Sequence, residues 1–193
     1  MATVPARSFA QSLAPEGIVA RYATYGALVL FGSLLIAVAG KITVPFGPVP
    51  ATLQTLAIFV IAAAFGRKLA LATLAAYLVE GAAGLPVFTN GGGLAYFAGP
   101  TTGYLAGFVI AAGLTGWAAD RGLDRNAFKL FAVNLLGTAI ILLLGAAWIA
   151  IAFGPEKALA WGVGPFIATD VIKAALAAAV VPAGWQIANL FRR

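Results

Sequence analysis

Phe128-Lys-Leu-Phe-Ala-Val-Asn-Leu-Leu-Gly-Thr-Ala-Ile-Ile-Leu-Leu-Leu-Gly-Ala-Ala-Trp-Ile-Ala150 carries one charged side chain, Lys129, at its second position, and no proline. An α-helix rises ~1.5 Å per residue, so a run of this length reaches across a hydrocarbon core of ~30 Å. A surface helix of a soluble domain keeps a polar face opposite its apolar stripe. This run has none, and it reads as a membrane span.

Five further apolar runs accompany it: residues 18–39, 52–65 (short unless Pro50 and Ala51 begin it), 69–84, 101–119, and 164–191, which continues past Pro182. The expected fold is an all-α membrane protein of six transmembrane helices, with 1–17 as a short cytosolic tail and 18–193 as a single domain. The tail contains two prolines and no continuous apolar core, unlike a cleavable signal peptide. Composition agrees. The chain is 62% hydrophobic and 9% charged, with a mean hydropathy of +0.99, whereas soluble domains carry about 25% charged residues.

The net charge of +6 resembles a nucleic-acid signal until the charges are placed between the spans. Arg7, Arg21, Arg67, Lys68, Arg121, Arg125, Lys129, Arg192 and Arg193 flank one side; Lys41 and Lys157 flank the other, and Lys173 falls inside the last span. Basic residues are retained in the cytosol, so this asymmetry puts both termini there and argues against nucleic acid as a partner. The absence of Cys and His excludes disulfides, His or Cys metal centres, cysteine nucleophiles and imidazole chemistry. No metal, cofactor or catalytic residue is expected.

The outer connections are rich in Gly and Pro yet apolar: Gly40-Lys-Ile-Thr-Val-Pro-Phe-Gly-Pro-Val-Pro50 and Leu85-Pro-Val-Phe-Thr-Asn-Gly-Gly-Gly-Leu-Ala-Tyr-Phe-Ala-Gly-Pro100. Phe46, Phe88, Tyr96 and Phe97 suit either an interfacial aromatic belt or loops folded inward as a lid. Two such loops on one face favour the lid. Beneath it, the last span contains Phe166-Ile-Ala-Thr-Asp-Val-Ile-Lys173. Asp170 and Lys173 are three apart, hence on one helical face. Charges inside a membrane are costly and usually functional, although an ion pair that only orients the helix is the bland alternative. A cation and an anion under a lid suit a small ligand bearing an acidic group and hydrogen-bond donors. Gln54, Asn90, Thr101, Thr102 and Tyr104 converge on the same level, with Gln54 equally readable as a headgroup-level helix start. The Gly91–Gly93 tract permits unusual backbone angles and close approach to a ligand but lacks the lysine of a phosphate loop. Glu80 is either pocket wall or snorkelling surface charge. Ala23-Thr-Tyr-Gly-Ala27 and Gly103-Tyr-Leu-Ala-Gly107 have the small-residue spacing of close helix contacts, in a chain where Ala and Gly are abundant.

Val44-Pro-Phe-Gly-Pro-Val-Pro-Ala-Thr-Leu-Gln-Thr55, residues 77–84 running into Leu85-Pro-Val-Phe88, Gly99-Pro-Thr-Thr-Gly-Tyr-Leu-Ala-Gly-Phe108 and the Asp170–Lys173 segment together resemble the BioY family over roughly residues 20–190. BioY proteins are the biotin-binding membrane subunits of energy-coupling-factor transporters. The resemblance implies a substrate-capture subunit in the cytoplasmic (inner) membrane of a prokaryote. It would work with a transmembrane coupling subunit and a pair of cytosolic ATPases in other chains. It also implies that Asp170, Lys173 and Asn90 line the vitamin site and that Ala23 and Ala27 contact the coupling subunit. Glu80 departs from the apolar residue expected there. Asp170 can accept from the ureido N–H groups, and Asn90 can donate and accept. Lys173 can pair with the valerate carboxylate or donate to the ureido oxygen. Gln54, Tyr96, Phe88 and Phe46 are further candidates for ring and tail contacts. Competing readings are a subunit for another vitamin such as thiamine or riboflavin, a proton-coupled secondary carrier, and an intramembrane enzyme. The last is hard to build without His or Cys.

Overall fold

The computed structural model describes residues 8–45 and 48–190, so the candidate Phe46 lies outside the described residues. Helices fill the apolar runs: α2 (Ile18–Lys41), α3 (Gln54–Phe65), α4 (Arg67–Ala82), α5 (Thr102–Ala119), α6 (Ala127–Phe153) and α8 (Ile167–Leu190). By length and composition α2, α5, α6 and α8 suffice to cross a membrane, whereas α3 is a shorter apolar helix. Their outward side chains are apolar, with Phe128 81%, Ile151 82% and Val19 84% exposed. Water would penalise so much exposed apolar surface; lipid does not.

Helix α5 is the centre of the bundle, packed against α3, α4 and α6, while α8 packs on α3 and α6, and α2 on α4. Close approach depends on missing side chains. A Cβ on Gly107 would stand 2.7 Å from the Ile141 Cα, and one on Gly103 would overlap the Leu144 carbonyl. The Gly103/Gly107 spacing is therefore the α5–α6 contact. At the α3–α4 corner Gly66 takes φ +77°, a region L-residues disfavour. Asp120, from the end of α5, accepts the Arg67 backbone N–H through Oδ2 at 3.1 Å. An anion at this helix start satisfies an otherwise unpaired donor.

Three elements go beyond the expected plan. Within the tail, α1 (Phe9–Leu13) packs against α3, with the Phe9 ring edge-on to Trp185 at 5.2 Å. The connection between α2 and α3 holds a hairpin, β1 (Thr43–Val44) antiparallel to β2 (Ala51–Thr52), with Thr43 opposite Thr52. After Gly154, Pro155 starts α7 (Pro155–Gly162), which packs back on α6. Proline at the first helical position and glycine before it are ordinary start signals. At eight residues α7 is too short to stand out as a span in hydropathy.

Candidate functional site

The start of α8 brings Asp170 and Lys173 inward, where Lys173 Nζ lies 2.6 Å from Asp170 Oδ1. They are 3% and 7% exposed, and this is the one ion pair among the described residues. Buried charges in low dielectric are tolerated only when paired in this way. Both line a cavity of about 40 Å³ between the hairpin, the loop after α4, and the adjoining halves of α3, α5 and α8.

Opposite the pair stands a polar wall. Gln54 Nε2 donates to the Tyr77 hydroxyl at 2.6 Å, and Gln54 Oε1 accepts from Thr52 at 3.2 Å and from Thr89 at 3.5 Å. Tyr77 in turn donates to the Val87 carbonyl at 3.4 Å. Gln54 is thus a buried residue of the cavity wall. Gly40 makes room for it, since a Cβ there would meet Gln54 Nε2 at 2.8 Å. Leu105, Phe108, Ile141 and Phe166 add an apolar part to the wall, with Phe166 5.9 Å from the Tyr104 ring, whose hydroxyl donates to the Gly162 carbonyl at 2.7 Å.

The loop after α4 folds inward. Phe88 is fully buried, edge-on to Tyr77 (5.3 Å) and Phe97 (5.5 Å) and stacked on Tyr96 (4.5 Å). A Cβ on Gly81 would overlap the Phe88 ring. Tyr96 reaches the cavity; Phe88 stands behind it as its support. Lys41 Nζ donates to the carbonyls of Phe88 (2.6 Å) and Thr89 (3.3 Å), tying the end of α2 to this loop. Trp148 Nε1 holds the other end through the Gly99 carbonyl at 2.8 Å. Asn90 is exposed at the tip of the turn in which Phe88 and Gly91 pair, and it is not on the cavity wall. The Gly91–Gly93 tract takes positive φ at Gly91 and Gly93, but its close approach is to the Leu85 carbonyl. Thr101 lines the cavity, whereas the Thr102 hydroxyl turns back to the carbonyls of Phe97 and Gly99. Glu80 is neither wall nor free surface charge: the buried Ser33 hydroxyl donates to it, joining α2 to α4. Ala23 and Ala27 lie far from the site on an exposed face of α2.

Sequence reading missed Tyr77, Thr89, Phe166 and the apolar wall. A tyrosine in the middle of a span was the available signal, because its hydroxyl needs a buried partner. Cavity and charge pair define a helical membrane protein with a small-molecule-type pocket near one end of its bundle. A family model described as the BioY family matches residues 12–190, and the chain belongs to that family. It is 38% identical over 144 residues to a probable biotin transporter BioY of Pyrococcus horikoshii, covering 74% of this chain and 85% of that one. To the biotin transporter BioY of Thermotoga maritima it is 38% identical over 149 residues, covering 76% and 86%. A crystal structure of the S-component for biotin from an ECF-type ABC transporter superposes with a TM-score of 0.76 at 28% identity, covering 86% of this chain and 92% of that one.

Proposed function

We propose that this protein captures biotin in the outer cavity and carries it across the cytoplasmic membrane as the substrate-binding subunit of an ECF-type transporter. The observation that carries the reading is the buried Asp170–Lys173 pair on the wall of a cavity whose other residues are polar on one side and apolar on another. Asp170 accepts from the ureido N–H groups, and Lys173 answers either the ureido oxygen or the carboxylate. Tyr96, backed by Phe88, covers the ring, Gln54 supplies the polar wall, and Asn90 and Phe46 come from the two outer loops. Val49 and Thr52 of the first loop and Thr89 and Tyr96 of the second line the cavity, so a bicyclic ligand enters between the two loops.

All six long helices span the bilayer, with both termini in the cytosol. Helix α3, at twelve residues, is too short alone, but most of its side chains are buried in protein and the hairpin continues it at the outer end. Irregular backbone at membrane depth is tolerated where protein covers it. Coupling runs through the face of α2 that carries Ala23 and Ala27, to a membrane coupling subunit and two ATPases in other chains. Binding of radiolabelled biotin to the purified full chain tests the reading: saturable binding displaced by biotin and not by thiamine or riboflavin is expected. Displacement by either of those vitamins, or no saturable binding, overturns it.

A further inference from the structure

A second hollow lies on the outside of the bundle, at the opposite end from the ligand cavity. It is a groove of about 530 Å³ between α4 and α5. Its walls are apolar: Leu71 on α4, and Val109, Ile110, Gly113 and Leu114 on α5. The α5 residues recur at helical spacing, so the groove follows the helix axis for about two turns. Its width comes from Gly113, where even a Cβ would come within 3.4 Å of Leu71.

One end of the groove is charged. Arg67 lines it, with its Cα held close beside α5: a Cβ on Gly116 would stand 2.7 Å from it. Trp117, the next residue of α5, closes the same end, and the Arg121 guanidinium lies 3.8 Å from the Trp117 ring centroid. Two guanidinium-bearing residues therefore flank the mouth of an apolar channel. The Arg67 side chain has no hydrogen-bond or ion-pair partner among the described residues. Asp120, next to Arg121 in sequence, is turned to the Arg67 backbone N–H instead.

We propose that this groove seats an acyl chain of an anionic phospholipid, whose phosphate is held by Arg67 and Arg121. Apolar length with cationic charge at one end is the complement of such a lipid. Basic pockets between membrane helices hold anionic headgroups, and arginine matches phosphate oxygens in a planar fork. Trp117 suits the headgroup level, where indole rings partition. The site is independent of the ligand cavity and of what that cavity binds.

Native mass spectrometry of the delipidated full chain, titrated with phosphatidylglycerol or with phosphatidylcholine of the same acyl chains, tests the site. Two basic contacts of about 1 kcal/mol each predict a preference for phosphatidylglycerol of roughly ten- to thirtyfold. Arg67→Gln with Arg121→Gln removes the preference and leaves chain binding; it spares the α4 cap, which uses the Arg67 backbone. Gly113→Leu or Leu71→Trp fills the groove and weakens both lipids, and having two such variants guards against one misfolding. Equal binding of the two lipids by the unmutated chain, or an undiminished preference in the double arginine variant, overturns the proposal. So does a dimer lost on filling the groove with no dependence on lipid, which would make the face a contact between copies.

Discussion

Asp170 and Lys173 hold each other at 2.6 Å with almost no access to solvent, so neither can be removed without leaving a buried charge. A charge-assisted hydrogen bond contributes roughly 1.5–3 kcal/mol, about ten- to a hundredfold in affinity. Asp170→Asn is expected to weaken biotin binding by that factor. Asp170→Asn with Lys173→Met removes both charges together: the protein should run monodisperse in detergent yet lose biotin. Wild-type affinity in a folded double variant would make the pair purely structural. A second buried acid, Asp124, lies in the α5–α6 connection, where Oδ2 accepts from Trp185 Nε1 at 2.5 Å and Oδ1 has no partner. Burial pushes this carboxyl above the usual aspartate range, against the opposing pull of the Trp185 N–H and Arg125. The folded state therefore holds the proton more tightly than the unfolded one, and stability falls as pH rises from the ordinary aspartate pKa through the raised one. Asp124→Asn keeps an acceptor for Trp185 and removes this slope. Melting curves from acid to neutral pH should show the variant gaining on the parent as pH rises; parallel curves would refute it.

At the scale of elements, the loop after α4 is held by anchors spread widely along the chain. Lys41, the last residue of α2, is bonded to two carbonyls of the loop after α4. Those bonds fix the segment whose Phe88 supports Tyr96 at the cavity. Lys41→Met removes them while keeping most of the side-chain volume. Biotin affinity should fall roughly tenfold, the value of one charge-assisted bond, through faster dissociation. Stopped-flow release would show this, and an unchanged dissociation rate would mean that the aromatic stack alone holds the lid. Lys41 was legible only as a charge on the outer side. Its partners are main-chain carbonyls, which no sequence pattern marks. The hairpin was equally hidden, because two-residue strands leave no alternation to read. The Gly103/Gly107 spacing was visible but uninformative until α6 was seen against it.

For the whole molecule, orientation and coupling are the open quantities, and the absence of cysteine makes both easy to probe. Leu159→Cys, on the exposed face of α7, should react with an impermeant thiol reagent applied to intact cells. Lys68→Cys and Arg125→Cys should react only after the membrane is opened. Labelling of Lys68→Cys from outside would invert the topology. Ala23 and Ala27 sit on an exposed face of α2, so leucine at either position has room within the isolated chain. Ala23→Leu or Ala27→Leu should leave biotin binding intact while reducing copurification of partner chains and ATP-driven uptake. Equal loss of binding and uptake would assign the alanines to internal packing.

The amino-acid sequence by itself determined that the chain belongs in a membrane, where its long apolar helices run, and that the last of them carries two opposite charges on one face. Each of these is a local property. Hydropathy over a helix length and three-residue spacing on one helix are complete within a single segment. Tertiary structure alone decided that Gln54 faces inward to Tyr77, that Phe88 backs Tyr96, that Glu80 serves Ser33, and that Asn90 stands away from the cavity wall. Each of these depends on which residue of a distant segment arrives opposite. In lipid, apolar helices have no polar face to fix their rotation, so rotation follows from glycine contacts and interhelical hydrogen bonds that form only when the helices meet.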